Sequence, residues 1–232
     1  MAVAQAVSGR ADRVRRPAVL GAAAVTAAAV IVLVLDVYTL DWPLSPATRT
    51  ISEYVFGRLR WPFYASALLL AGGSLLVLTA AVRSGLARWG SAASVAMLVW
   101  CFGLVAVVFF EKHDWSVGPS ISGYVHQAGS LAAFLAMPIA GLSLGRAARG
   151  DGERGRRGRL LTWLSGAALL WFPVLGAAVV LSVASDVEWW LIVPLGLVER
   201  ALTASELLIV LVVAWTAAAT TMDYERDRAS AA

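Results

Sequence analysis

Six long apolar runs, separated by short polar segments, dominate the 232-residue chain. An α-helix of about 20 apolar residues is long enough to cross the hydrocarbon core of a bilayer. The runs predict six membrane spans at about residues 18–40, 61–82, 89–110, 120–145, 160–185 and 195–218. The predicted fold class is therefore all-α, a polytopic integral membrane protein built as a bundle of six transmembrane helices. The predicted domains are a basic tail at 1–17, the transmembrane domain at 18–218 and a polar tail at 219–232.

The first run fits either a membrane span or a secretory signal, because a basic start followed by an apolar core is typical of both. The uncharged core from Pro17 to Leu35 is longer than the roughly 7–15 residues of such a signal. A retained first span is predicted. In the fifth run, Pro173 predicts a kink, since proline removes a backbone hydrogen bond inside a helix.

The last run is interrupted by Glu199, Arg200 and Glu206. The sixth span is predicted to start at about residue 195, after an interfacial or partly re-entrant approach at 187–195. Ionisable groups inside the membrane are costly and are functional candidates by default. The open alternative is that these charges pair with other groups and only hold helices together.

Basic residues predict the orientation. Of the 19 Lys and Arg residues, most lie in the N-terminal tail, the turn at 83–88, the segment 146–159 and the C-terminal tail. By the positive-inside rule, both termini are predicted to be cytoplasmic in the plasma membrane. The same distribution argues against a nucleic-acid partner despite the net charge of +4, because the basic residues lie in short loops. Segment 146–159 is predicted to be a flexible basic loop that contacts anionic lipid headgroups.

The polar stretch from Glu111 to Ser130 connects the third and fourth spans and contains both histidines of the chain. His126 has serines at i−4 and i+4, Ser122 and Ser130, so the start of the fourth span has one polar, small-residue face. This face is predicted to turn toward the bundle interior. Small residues also recur at Gly141 and Gly145, a pattern that permits close helix contact.

The connection between the first two spans contains Thr50 and Glu53 at capping-box spacing, which predicts a short helix at the membrane surface. We expect Ser52 and Glu53 to cover a site in which His126 meets Glu199 across the bundle. Arg200 would pair with a carboxylate on the same, outer side. The five residues of this predicted binding cluster are Ser52, Glu53, His126, Glu199 and Arg200.

Several kinds of chemistry receive little support. The two histidines with Glu53, Asp114 or Glu199 would give enough ligands for a metal, but no H-E-x-x-H motif is present, and no metal or cofactor is predicted. A serine nucleophile lacks a G-x-S-x-G context. A literal G-x-G-x-x-G pattern at 150–155 lies in an arginine-rich loop, not after a strand, so dinucleotide binding is not predicted. Cys101 is alone, which excludes an internal disulfide.

Three motifs together resemble a known family: Leu44-Ser-Pro-Ala-Thr-Arg-Thr-Ile-Ser-Glu-Tyr54, His126 opening the fourth span, and Gly196-Leu-Val-Glu-Arg200 opening the sixth. The chain is similar over about residues 20–218 to the bacterial six-span membrane family catalogued as domain of unknown function 998. The resemblance implies the six-helix architecture and the shared outer-side cluster. It implies no activity, because none is established for the family.

Three hypotheses for the function follow. A protein that binds or moves a lipid or small amphiphile would have an apolar cavity open sideways to the bilayer. An integral-membrane hydrolase would bring His126 and carboxylates, with or without a metal, within bonding distance. A structural or accessory protein would have its polar groups fully paired and no cavity. The first is favoured, with membrane lipids as partners and an unassigned oligomeric state.

Overall fold

The computed structural model describes residues 2–40, 46–114, 117–150, 152–187 and 189–230. These residues form α-helices and one short 3-10 helix, η1. The helices are α1 (Ala2–Tyr38), η1 (Ile51–Val55), α2 (Arg60–Arg83), α3 (Ala92–Phe109), α4 (Ile121–Ala147), α5 (Gly152–Leu169), α6 (Trp171–Ser185), α7 (Trp189–Ile192) and α8 (Leu195–Ser230).

Six helical segments of the described residues are long and apolar enough to cross a membrane, as the sequence predicts. They are Ala11–Tyr38, Arg60–Arg83, Ala92–Phe109, Ile121–Ala147, Gly152–Ser185 and Leu195–Thr220. Helices α1 and α8 continue beyond these spans into both predicted tails, because their described residues remain helical. The last span begins at Leu195, as predicted, after the short helix α7.

The helices pack in a closed order: α1 against α2 and α8, α3 against α2 and α4, and α5 against α4 and α8. The main core cluster lies where these helices meet. Its largest fully buried side chains include Trp100, Met97, Met137 and Ile209. The bundle has two ends. Among the described residues, the η1 end contains 39–40, 46–59, 110–114, 117–120, 186–187 and 189–194, and the terminal end contains the turns near 84–91 and 148–150.

Close contacts between glycines hold several of these helices together. A Cβ atom placed on Gly103 of α3 would lie 2.5 Å from the carbonyl oxygen of Gly129 in α4. At the terminal end, a Cβ on Gly145 of α4 would lie 2.8 Å from the carbonyl oxygen of Gly158 in α5. The close contact predicted from Gly141 and Gly145 is therefore confirmed, since small residues let two helix backbones approach.

The fifth span is divided into α5 and α6 at Leu170, three residues before Pro173. Proline cannot donate to the carbonyl group four residues earlier, which explains the predicted interruption. The halves also differ in packing. Helix α5 contacts α4 and α8, whereas the main neighbours of α6 are α5 and α7, and Ala178 is its buried residue.

The prediction of a flexible basic loop at 146–159 is wrong for most of its length. Helix α4 extends to Ala147 and α5 already begins at Gly152, so the described part of this segment is largely helical. Arg157 is buried, donates from Nε to the carbonyl oxygen of Glu153, and lies with its guanidinium carbon 5.4 Å from the ring centre of Trp215. It is therefore a packing residue rather than a free headgroup contact.

Candidate functional site

A cavity of about 340 Å³ lies in the half of the bundle nearer the η1 end. Side chains from five spans and from η1 line it, and most of them are apolar. The apolar wall includes Val32, Phe63, Leu70, Trp100, Val107 and Leu207. The polar lining residues Asp36, Ser52, Glu199 and Arg200 belong to the η1 end, while Ser130 and Thr203 extend the polar surface along α4 and α8.

An ion pair between α1 and α8 forms part of the polar end. Arg200 donates from Nε to Asp36 Oδ2 at 2.9 Å and from Nη2 to Asp36 Oδ1 at 2.6 Å. Both side chains are about five-sixths buried, with 15% and 16% exposed. This two-point geometry is the strong form of an arginine–carboxylate pair. It confirms that Arg200 pairs with a carboxylate at the same end of the bundle, while the outer location of that end stays a prediction.

Other groups complete the coordination of this pair. Tyr54 of η1 donates its hydroxyl to Asp36 Oδ1 at 2.7 Å, and the Thr39 hydroxyl lies 2.9 Å from the same Tyr54 oxygen. Arg200 Nη1 donates to the carbonyl oxygens of Arg49 and Gly196. The pair thus fastens η1 and its preceding segment to α1 and α8.

Burial raises the pKa of the Tyr54 phenol, and the hydrogen bond to the Asp36 carboxylate and the charge of that carboxylate raise it further. The hydrogen bond with Thr39 and the charge of Arg200 lower the pKa by less. Tyr54 therefore remains a hydrogen-bond donor to Asp36 throughout the neutral pH range.

Glu199 lies one residue before Arg200, on the first turns of α8. Its Oε2 atom accepts a hydrogen bond from the backbone N–H of Ile51 at 2.7 Å, which places η1 over the cavity. A short N–H···O bond of this length is typical of a carboxylate acceptor. Ile51 and Ser52 line the cavity beside it, whereas Glu53, the other residue expected to cover the site, does not.

Glu53 organises η1 from the other side. Its carboxylate accepts hydrogen bonds from the Thr50 hydroxyl at 3.1 Å, from Lys112 Nζ at 3.3 Å and from Arg49 Nε at 3.2 Å. The longer bond from the Thr50 backbone N–H, at 3.4 Å, completes the carboxylate side of the predicted capping box. Burial raises the pKa of Glu53, but the Lys112 charge and the hydrogen bonds from Thr50 and Lys112 outweigh burial, so the pKa lies below its ordinary value.

His126 is buried near the start of α4, as the inward-facing polar face predicts. Its Nδ1 atom lies 2.8 Å from the carbonyl oxygen of Phe110, so Nδ1 carries the proton and donates. Its Nε2 atom is buried and has no hydrogen-bond partner among the described residues. Within the described residues, no hydrogen bond joins His126 to Glu199. His126 is also not a lining residue of the cavity.

Four of the five predicted site residues are therefore together. Ser52, Glu53, Glu199 and Arg200 belong to one polar network at the η1 end, whereas His126 pairs with the end of α3. That all five share one binding site stays a prediction. Leu44 and Ser45 of the first family motif lie outside the described residues.

Glu206 is the second carboxyl group inside α8. It is fully buried, and neither of its oxygen atoms has a hydrogen-bond partner among the described residues. It is not a lining residue of the cavity, although Thr203 and Leu207 on neighbouring positions are. No grouping of three or more His, Cys, Asp or Glu residues that fits a metal ion occurs in the described ranges.

Reasoning from the sequence did not identify several members of the network as site residues, among them Asp36, Tyr54 and Lys112. Asp36 and Lys112 carry charges at predicted span ends, where a solvated surface is the ordinary explanation. Tyr54 is adjacent to Glu53 in the family motif. These residues could not be identified because the sequence does not specify which carboxylate Arg200 pairs with.

A family model described as "Protein of unknown function (DUF998)" matches residues 22–216. No curated protein and no solved structure matches the chain.

Proposed function

The chain belongs to the DUF998 family of proteins of unknown function, and we propose that it binds a lipid or small amphiphile in the cavity at the η1 end. The observation that carries this proposal is one apolar cavity that ends in a polar network. A molecule with a hydrocarbon chain and a polar head has the same division. The apolar wall would hold the chain, and Ser52, Glu199 and Arg200 would face the head.

The dimensions of the cavity support a small ligand. Its volume of about 340 Å³ lies at the lower end of the roughly 300–1,000 Å³ of small-molecule pockets. A single hydrocarbon chain with a compact head therefore fits the cavity better than an entire two-chain lipid.

Access from the bilayer is supported by two exposed lining residues. Leu33 of α1 is 61% exposed, and Ala204 of α8 is also exposed. Helix α6 leaves this half of the bundle uncovered, because it packs mainly against α5 and α7. A ligand would enter sideways from the lipid instead of crossing the polar network.

The location of the cavity follows from the charge distribution. If the positive-inside rule sets the orientation, the terminal end of the bundle faces the cytoplasm and the η1 end lies in the outer leaflet of the plasma membrane. The binding site would then take its ligand from the outer leaflet.

Two alternatives receive less support. A hydrolase that uses His126 would need this residue beside the bound ligand, but His126 does not line the cavity. A purely structural role agrees with the paired charges of Asp36 and Arg200. It does not explain an apolar cavity of this size next to them.

Saturable binding tests the proposal. The purified protein in lipid nanodiscs is titrated with a radiolabelled single-chain amphiphile, and the bound amount is measured at equilibrium. Ala204→Phe places a large side chain on the cavity wall and should abolish saturable binding. Ala201→Phe is the matched control, because Ala201 lies three residues earlier on α8 and does not line the cavity. Equal binding by both variants, or no saturable binding by the unaltered protein, contradicts the proposal.

A further inference from the structure

We infer that the ligand of this cavity has an uncharged, hydroxyl-bearing head on a single hydrocarbon chain, and that Glu199 accepts the hydrogen bond of the head. This inference rests on the proposed function, because it assigns the chemistry of the ligand to the same cavity. The inference follows from comparing the polar atoms at the η1 end that already form hydrogen bonds with those that do not.

Arg200 has little capacity left for a ligand. Its guanidinium has five N–H donors, and four of them are used: two on Asp36, one on Arg49 and one on Gly196. A phosphate or carboxylate head is normally held by two parallel bonds from an arginine. Arg200 would have to leave Asp36 before it could provide them, so an anionic head fits poorly.

Glu199, in contrast, keeps an unused acceptor. Its Oε2 atom accepts from Ile51, while Oε1 has no hydrogen-bond partner among the described residues, and the side chain lines the cavity. The hydroxyl groups of Ser130 and Thr203 also line the cavity, and neither has a hydrogen-bond partner in the described ranges. A carboxylate accepts only, and hydroxyl groups both accept and donate. The head that satisfies this set is one that donates to Glu199.

The charge balance separates a neutral head from a cationic one. Among the described residues, the polar network contains equal numbers of acidic and basic side chains. They are Asp36, Glu53, Glu199, Arg49, Lys112 and Arg200. A cationic head would add an uncompensated charge to a partly buried site, which is costly. A hydroxyl head leaves the balance unchanged.

Head-group ranking on the unaltered protein tests the inference. Four labelled probes with the same 12-carbon chain are used: glycerol monododecanoate, methyl dodecanoate, dodecanoate and dodecylammonium. They provide a neutral donor head, a neutral head without a donor, an anionic head and a cationic head. We expect the glycerol ester to bind at least about tenfold more tightly than the other three, the effect of one hydrogen bond to a charged acceptor.

Two variants locate the effect. Glu199→Gln should weaken binding of the glycerol ester by about tenfold and leave methyl dodecanoate unchanged. Glu111→Gln should leave both unchanged, because Glu111 is an exposed carboxylate at the same end of the bundle and does not line the cavity. Because the ranking uses the unaltered protein, it decides the question even if Glu199→Gln does not fold.

The outcomes separate the two proposals. Tighter or equal binding of dodecanoate or dodecylammonium overturns the inference about the head and leaves the amphiphile site intact. Equal binding of the glycerol ester and its methyl counterpart also overturns it. Saturable binding of none of the four probes overturns the proposed function instead.

Discussion

The two ends of the bundle are held together by different physical means. At the terminal end, α4 and α5 meet through Gly145 and Gly158, and their backbones approach so closely that a Cβ atom has no room. At the η1 end, long polar side chains such as Arg200 and Glu199 connect α1, α8 and η1 across a cavity. The first arrangement leaves no space between α4 and α5, whereas the second borders a cavity.

This difference bears on the location of the proposed ligand site. Glycine contacts gain dispersion energy only where two helix backbones touch, so they leave no space where they occur, as between α4 and α5 and between α3 and α4. Hydrogen-bonded side chains span a longer distance and tolerate a space beneath them. The fifth span follows the same division, since α5 is packed and α6 is not. The half nearer the η1 end, which contains the cavity, is therefore the half to which we assign the proposed ligand.

The largest expected effect comes from breaking the ion pair of the η1 end. Arg200→Gln leaves Asp36 buried without its counter-charge, and loss of one member of such a pair costs about 3–5 kcal/mol. The free energy of unfolding, measured by denaturant titration of the purified protein in mixed micelles, should fall by this amount.

The double variant Asp36→Asn with Arg200→Gln shows whether the charge itself causes the loss. Because it contains no uncompensated charge, it should be more stable than Arg200→Gln alone by at least about 1 kcal/mol. If the double variant is less stable than the single one, the pair does not hold the η1 end in the way described.

A smaller loss of stability is expected at the terminal end from Gly158→Leu. A Cβ on Gly158 would lie 2.9 Å from the carbonyl oxygen of Gly145 and 3.0 Å from that of Ala148. Overpacking of this kind costs about 1–3 kcal/mol. Gly166→Leu on the same helix is the control, because a Cβ there meets nothing within 4 Å. The same unfolding titration should show a lower free energy of unfolding for Gly158→Leu than for Gly166→Leu. Equal stability of the two variants would contradict a close backbone contact between α4 and α5 at the terminal end.

The next prediction concerns Glu53 and the dependence of protein stability on pH. The pKa of Glu53 in the folded protein lies below its ordinary value in the unfolded chain. Ionised Glu53 therefore stabilises the fold above that unfolded value, and the contribution is lost as the pH falls through the folded pKa. Glu53→Gln should lower stability at pH 7 by about 1 kcal/mol and reduce the loss on acidification below about pH 4. An unchanged acid dependence of the melting temperature would exclude Glu53 as its source.

Much of the fold could be predicted from the sequence, because membrane spans depend on local hydrophobicity. The six spans, the start of α8 at Leu195 and the interruption before Pro173 all follow from runs of residues. The interior position of His126 follows from helical spacing. These properties need no knowledge of which helices are neighbours.

The site was less accessible to sequence reasoning, because it depends on long-range pairing. Arg200 meets Asp36, 164 residues away, and Glu199 meets Ile51, 148 residues away. Short motifs identify Glu199 and Arg200 as candidates but do not supply their partners. The arginine segment shows a related difficulty, since the same charges that suggest a loop are compatible with the solvated face of helix α5.

The smallest effect separates Arg157 from the other arginines of that segment. Arg157 is buried, with its guanidinium over Trp215, whereas Arg154 on the same helix is exposed. A cation–π contact of this kind contributes about 0.5–1 kcal/mol at a partly exposed ring. Arg157→Gln should lower the free energy of unfolding by about this amount, and Arg154→Gln should leave it unchanged. Amphiphile binding should remain intact in both variants, because neither side chain lines the cavity. A binding defect in Arg157→Gln would show that the terminal end also affects ligand binding at the η1 end.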